Sequence, residues 1–364
     1  ISLALPHRKT KRNERSISRF ATLCSNLLFR YVFILKYIWL LSGNFMIAIL
    51  LAACNGSNII PDNPDEEIEI IPERSITFSL GTATRALPVT QLRGESFGVK
   101  AYILDNLWAA AGYNAKPDTD WNNVRIDCSD SGVCTYAPIQ SWLDNKYYTF
   151  FGYYPYNTPG VTVSDANHES TPYIEYRLSA NDPTQHQDVM VASTFDCTAL
   201  NTGQVRMQFS HILFCINIAV NNYRDEAIRL DNVICRFTSP LYSTYRIKMD
   251  KSEPDTGGTI TNASYLMASS VNVSNTSATG AINITDADRF LMLIPQRGLQ
   301  GTISFDVTQG GQTTTKVVEF NDPDTEYRAG YRYTFTLYFV GDAIHLRIIR
   351  NNEWNDNNSE IEFD

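Results

Sequence analysis

FFGYYPYN, Phe150 to Asn157, places five aromatic rings in eight residues. It is a ligand-stacking surface, a catalytic pocket wall or the inside of a sheet. In the longer run KYYTFFGYYPYN the rings fall on both parities: Tyr148, Phe150 and Tyr154 on one, Tyr147, Phe151 and Tyr153 on the other. A carbohydrate platform needs rings on one open face or an exposed loop. A two-sided pattern fits a core strand whose second face is also covered. Gly152 leaves room for a close backbone or a bulge, and Pro155 removes a ladder donor where the strand ends.

The rest of the body has the same character. SITFSLGT (75–82) sets Ile76, Phe78 and Leu80 against polar neighbours, with the period of a half-buried strand. Further short apolar segments lie at 97–104, 124–127, 135–139, 146–154, 188–193, 205–220, 228–237, 281–285, 290–295, 302–308, 315–320, 331–340 and 343–350. The run 205–220 reads as one long strand or two joined by a bend. A single helical turn is expected within 106–114. Short strands separated by turn residues point to an all-β chain of antiparallel β-sandwiches. The 364 residues suggest two domains after any leader. We place them at 75–203 and 204–364.

Charge divides the chain. Residues 1–45 hold eight Lys/Arg and one acid, so a chain of net −9 has a body of net −16 from residue 46 onward. An acidic body disfavours phosphate backbones, and no nucleic-acid partner is expected. The first residue is Ile rather than Met. The expectation is a fragment or an upstream-extended reading. Tyr37 to Cys54, YIWLLSGNFMIAILLAAC, follows the basic stretch without a charge, the pattern of a secretory signal within a leader of residues 1–53. Leu51-Ala52-Ala53-Cys54 resembles a bacterial lipobox, which implies cleavage before Cys54 and a lipid on its sulfur. The alternative is a cysteine near the end of a signal anchor. Residues 54–74, acidic and proline-bearing, read as a flexible tether.

Chemistry is sparse. The five histidines (His7, His168, His186, His211, His345) belong to no hydrolase or metalloprotease motif, and no phosphate-binding glycine loop occurs. Acid and amide clusters at 117–123, 321–326 and 355–360 lack the EF-hand spacing and read as solvated turns. No catalytic residue, metal or cofactor is assigned. Cys128 and Cys134 bracket SDSGV. A three-residue hairpin loop there sets them opposite one another, where an oxidising compartment permits a disulfide and free thiols are the alternative. Cys215 and Cys235 lie in apolar runs and read as buried hydrophobes.

Taken in order, ITFSLGTATRA (76–86), FGVKAYI (97–103), YTFFGYYPY (148–156), QDVMVAS (187–193), QFSHILFCINIAV (208–220), LMLIPQ (291–296), YRAGYRYTFTLYFV (327–340) and EWND (353–356) resemble the fimbrillin-like pilins of type V pili. The resemblance runs from Cys54 to Asp364. It implies a lipoprotein precursor of two transthyretin-like sandwiches in tandem, held at the outer membrane and assembled with other fimbrial subunits on the cell surface. It also implies removal of the first strand by a protease cutting after Arg, and filling of the groove by a neighbour's terminal strand. Transferred to this chain, the removable strand carries Ile76, Phe78 and Leu80. Arg85 in ATRA is the expected cut, with Arg93 in QLRGE in reserve. Ile361 and Phe363 anchor a candidate donor strand. Stalk, tip, anchor and accessory positions stay open. A different reading is a monomeric surface lipoprotein that binds glycans or a host protein through Trp108, Trp121, Trp142, Tyr154 and Tyr156.

Overall fold

Phe150 and Phe151 are adjacent in the chain and both wholly buried, yet they belong to different cores. That single observation organises the fold. The computed structural model describes residues 74–80, 92–179, 181–200 and 202–351, and the backbone of 352 and 357–361. Strands, numbered in chain order, form four sheets among these residues.

The first sheet has eight strands. Its order is β10 (Ser210–His211), β8 (Met190–Cys197), β5 (Tyr147–Tyr154), β2 (Ser96–Leu104), β3 (Asn122–Cys128), β4 (Cys134–Thr135), β1 (Phe78–Leu80) and β9 (Val205–Met207). The sheet curls until β9 approaches β8, where the Thr194 hydroxyl donates to the Arg206 carbonyl at 2.7 Å. The curl encloses a first core containing Ile76, Phe78, Phe97, Trp121, Tyr148, Phe150 and Phe209.

The other face of β2 and β5 presents Tyr102, Phe151 and Tyr153 to a second, larger core. A four-stranded sheet ordered β14 (Asp255–Ile260), β13 (Leu241–Lys248), β7 (Tyr173–Arg177), β6 (Val161–Val163) adds Ile174, Tyr176, Tyr245 and Ile247 to it. Two further sheets pack as a sandwich. One is ordered β16 (Ile282–Asn283), β11 (Phe214–Asn222), β20 (Arg332–Val340), β21 (Ala343–Asn352), β22 (Asn357–Ile361), with β17 (Leu291–Leu293) also on β11. The other is β15 (Ser264–Val273), β12 (Ile228–Phe237), β18 (Gln296–Gln309), β19 (Gln312–Tyr327). Rings meet between these layers: Phe320 with Phe335 at 5.1 Å and Phe305 with Phe339 at 5.9 Å, separations at which aromatic pairs attract.

The all-β sandwich architecture is the one the alternation indicates. Two pairings depart from an antiparallel rule: β1 runs parallel to β9, and β11 parallel to β20. The run 205–220 is three strands, β9, β10 and β11, and the chain passes from the first sheet to the sandwich between His211 and Phe214. The expected strand 135–139 shrinks to Cys134–Thr135. The helical turn is α1 (Trp108–Ala111), whose Trp108 N–H donates to Asp196 Oδ1 at 2.7 Å. The acidic run 321–326 is not a solvated turn. It continues β19, and Asp322, 2% exposed, accepts from the Tyr327 hydroxyl at 2.7 Å.

Two glycines make the aromatic packing possible. Gly98 stands opposite Tyr153, whose ring lies over it, so a Cβ there would collide with the ring. A Cβ on Gly152 would come within 2.6 Å of Met207 Cε and 3.2 Å of Phe209 Cζ. At both positions the absent side chain is the space a neighbouring large one occupies.

Candidate functional site, the first strand and its groove

β1 is fixed both by its side chains and by its backbone. Ile76 and Phe78 are buried, Thr77 and Ser79 are partly exposed, and Leu80 packs partly buried on the same core. This alternation matches the half-buried strand period of SITFSLGT. Phe78 meets four rings edge-on: Tyr136 and Phe150 at 5.6 Å, Trp121 at 5.9 Å and Phe97 at 6.4 Å. Edge-to-face pairs add roughly 0.5–1.5 kcal/mol each beyond area burial.

The backbone of this segment is held from both sides. Phe78 pairs with Cys134 of β4, and Phe78 to Leu80 pair with Val205 to Met207 of β9. The Ile76 N–H donates to the Gln140 carbonyl at 2.8 Å, and the Val205 N–H to the Thr77 carbonyl at 2.8 Å. The Tyr136 hydroxyl donates to the Ile76 carbonyl at 2.8 Å. Arg74 pairs with Asp144 at the entry to the strand; both groups are exposed, and such a pair contributes little.

Cys128 and Cys134 are joined by a disulfide, S–S 2.01 Å, across the β3–β4 hairpin. Gly132 takes a positive φ of 87° in its loop. Arg93 is exposed in the turn before β2, with its guanidinium over this hairpin near Gly132. Arg85 and Cys54 lie outside the described residues, as do Phe363 and the Ile361 side chain. The Ile361 backbone pairs with Ile348 at the β22 edge of the sandwich. Beside it, a groove of about 580 Å³ opens between β19 and β21, lined by Phe320, Ile344, Leu346 and Ile348 among others.

Other candidates resolve into packing. Trp121 and Trp142 are buried at 1% and 6%, so they offer no stacking surface. Trp108 lies partly buried against Tyr102, Phe151 and Phe195, while Tyr154 and Tyr156 are half-buried. The buried His211 has its Nδ1 2.7 Å from Oδ1 of the partly exposed Asp188. His186 Nε2 donates to the Ser179 carbonyl at 3.0 Å, and its Nδ1 accepts from the Met292 N–H at 3.3 Å. These partners select the neutral tautomer, and burial pulls its pKa down from 6.5 to about 4. Cys215 and Cys235 are wholly buried free thiols, pushed up in pKa by burial. Among the described residues, no cluster of three or more His, Cys, Asp or Glu could hold a metal ion. No helix among them is long and apolar enough to cross a membrane.

The described residues form an almost wholly β fold in which β1 packs into an aromatic core between β4 and β9. The sequence model of the fimbrillin-like family matches residues 84–354, and the chain belongs to that family. A solved structure carries the same fold. A fimbrial protein from Bacteroides vulgatus ATCC 8482 superposes with a TM-score of 0.62 at 20% identity, covering 78% of this chain and 100% of that one. A fimbrial assembly protein from Parabacteroides distasonis ATCC 8503 matches at a TM-score of 0.38 and 11% identity, covering 79% and 98%. No curated protein matches the chain by sequence.

Proposed function

We propose that this chain is a structural, non-enzymatic subunit of a surface fimbrium, made as a lipoprotein precursor. In this reading Cys54 carries the lipid at the outer membrane. A protease cuts after Arg85, or after Arg93, and releases β1. A terminal strand of another fimbrial subunit then fills the groove, and this chain's own tail with Ile361 and Phe363 is the candidate donor. In this reading the two tandem sandwiches meet where the chain leaves the first sheet, between His211 and Phe214, rather than at residue 204.

One observation carries the reading: the first strand plugs an aromatic groove with alternate side chains, and expected cut sites follow it in sequence. Losing Ile76 and Phe78 uncovers Phe97, Trp121, Tyr136 and Phe150 together with the unpaired edges of β4 and β9. Each such side chain represents about 1.5–3 kcal/mol of burial. An uncovered apolar groove with open edges favours strand addition, in which backbone pairing supplies affinity and alternating pockets supply specificity. The exposed position of Arg93 is compatible with protease access.

The test is the double variant Arg85→Ala, Arg93→Ala. It is expected to stay uncut and monomeric under conditions where the parent forms ladders. Ladders from the double variant would sink the cleavage scheme. A receptor-binding role rests on Leu107, 48% exposed, and Phe195, 41% exposed, flanking Trp108. A glycan array signal lost on mutating these residues would favour it.

A further inference from the structure

Lys100 is an amine inside the protein. It lies mid-way along β2, with Asn122 of β3 opposite on one side and Phe151 of β5 opposite on the other. Its side chain is 2% exposed. The register of β2 against β3 shifts between Val99 and Lys100, and the shift brings Asn122 into line with Lys100. Nζ donates to Asn122 Oδ1, so its hydrogen-bond partner is a neutral carboxamide rather than a carboxylate.

A buried ammonium without an ion-pair partner is costly. Burial draws the Lys100 pKa from 10.5 down to about 8, and the charge of Asp165 opposes part of that shift. About a tenth of the amine is then uncharged at pH 7. An uncharged amine held at the oxygen of a carboxamide, away from bulk water, is a nucleophile beside an electrophile.

We propose that Lys100 and Asn122 join in an intramolecular isopeptide bond. The Nζ lone pair attacks Asn122 Cγ and forms the Nζ–Cγ bond. The Cγ–Nδ2 bond breaks, one Nζ proton ends on Nδ2, and the group leaves as ammonia. Nothing is oxidised or reduced, and no co-reactant is consumed.

The position gives the bond a use. β3 begins at Asn122 and ends at Cys128. The disulfide ties its far end to β4, and the isopeptide would tie its near end to β2. A covalently fastened β3 holds the wall that carries β4 beside β1. It keeps the groove framed while the first strand is absent. The bond formation itself needs only the folded chain, so it stands or falls apart from the assembly scheme.

The test is peptide mass spectrometry of the reduced full-length chain after proteolysis. A branched peptide joining the Lys100 and Asn122 segments is expected, lighter by one ammonia, about 17 Da, than their sum. It should vanish in Lys100→Arg and in Asn122→Ala. Recovery of Lys100 and Asn122 wholly in separate, unmodified peptides from the parent chain overturns the proposal, whatever the variants do.

Discussion

Phe78 of β1 stands directly opposite Cys134 of β4, and Cys134 is bonded to Cys128 of β3. The strand that fills the groove is therefore paired with a strand covalently fastened to its neighbour. The occupant is held by burial and a few hydrogen bonds, whereas the wall is held by a disulfide.

Phe78 is the main plug. Phe78→Ala removes a ring that touches four others and should cost about 3–5 kcal/mol. Urea unfolding followed by Trp121 and Trp142 fluorescence, both tryptophans lying in this core, should register the loss. A change below about 1 kcal/mol would show that the strand is not a packed member of the core.

Opening the hairpin disulfide should loosen the wall. A bridge closing so short a loop contributes about 2 kcal/mol in the chain-entropy account. The Cys128→Ser, Cys134→Ser pair should lower the unfolding midpoint of the first core, and added reductant should do the same to the parent but not to the variant. Identical denaturation curves with and without reductant in the parent would contradict this.

His186 makes the fold acid-sensitive. Its folded pKa of about 4 lies below the ordinary 6.5, because the neutral ring is buried between Ser179 and Met292. Its contribution is fully present above pH 6.5. Below that the unfolded chain takes up a proton that the folded one refuses, so stability falls from pH 6.5 to 4, by up to about 3 kcal/mol. Urea titrations across that range should show a shallower decline for His186→Gln than for the parent. Parallel slopes would refute the assignment.

Gly98→Ala should be far from neutral. The new methyl meets the Tyr153 ring, and moving that ring breaks the hydrogen bond from its hydroxyl to Asn123 Oδ1, 2.7 Å long. A cost of about 1–3 kcal/mol is expected from overpacking, read as a lowered melting temperature. An unchanged melting temperature would mean the ring has room to yield.

What could be read from the chain follows from where side-chain period is visible. Ile76, Phe78 and Leu80 alternate with polar residues because one face of β1 meets the core, and the period survives in the sequence. The two-sided aromatics of β5 were equally legible, since both faces are covered. β13 and β14 were missed because YSTYRIK and DTGGTI are rich in Ser, Thr, Gly and charge, composition that resembles loops. β15 and β7, SYLMASSVNV and YIEYR, carry apolar and aromatic side chains open to the same reading as the other strands. β19 runs well past 315–320 because its exposed first residues, Gln312 to Val317, pair only with β18 and need no apolar face. The passage from β10 to β11 leaves no mark, since every residue from Ile212 to Val220 is buried and no period remains there. Long-range partners were beyond reach for the same reason: that β1 lies beside β9, and parallel to it, depends on residues more than 120 apart.

The central claim is that β1 is a replaceable plug. Brief trypsin treatment of the purified protein, followed by N-terminal sequencing and size analysis, tests it most directly. One selective cut after Arg85 or Arg93 is expected, with loss of the peptide bearing Ile76 and Phe78 and growth of ladders as neighbours fill the groove. A cut at either arginine that leaves the first strand in place and the protein monomeric would contradict it.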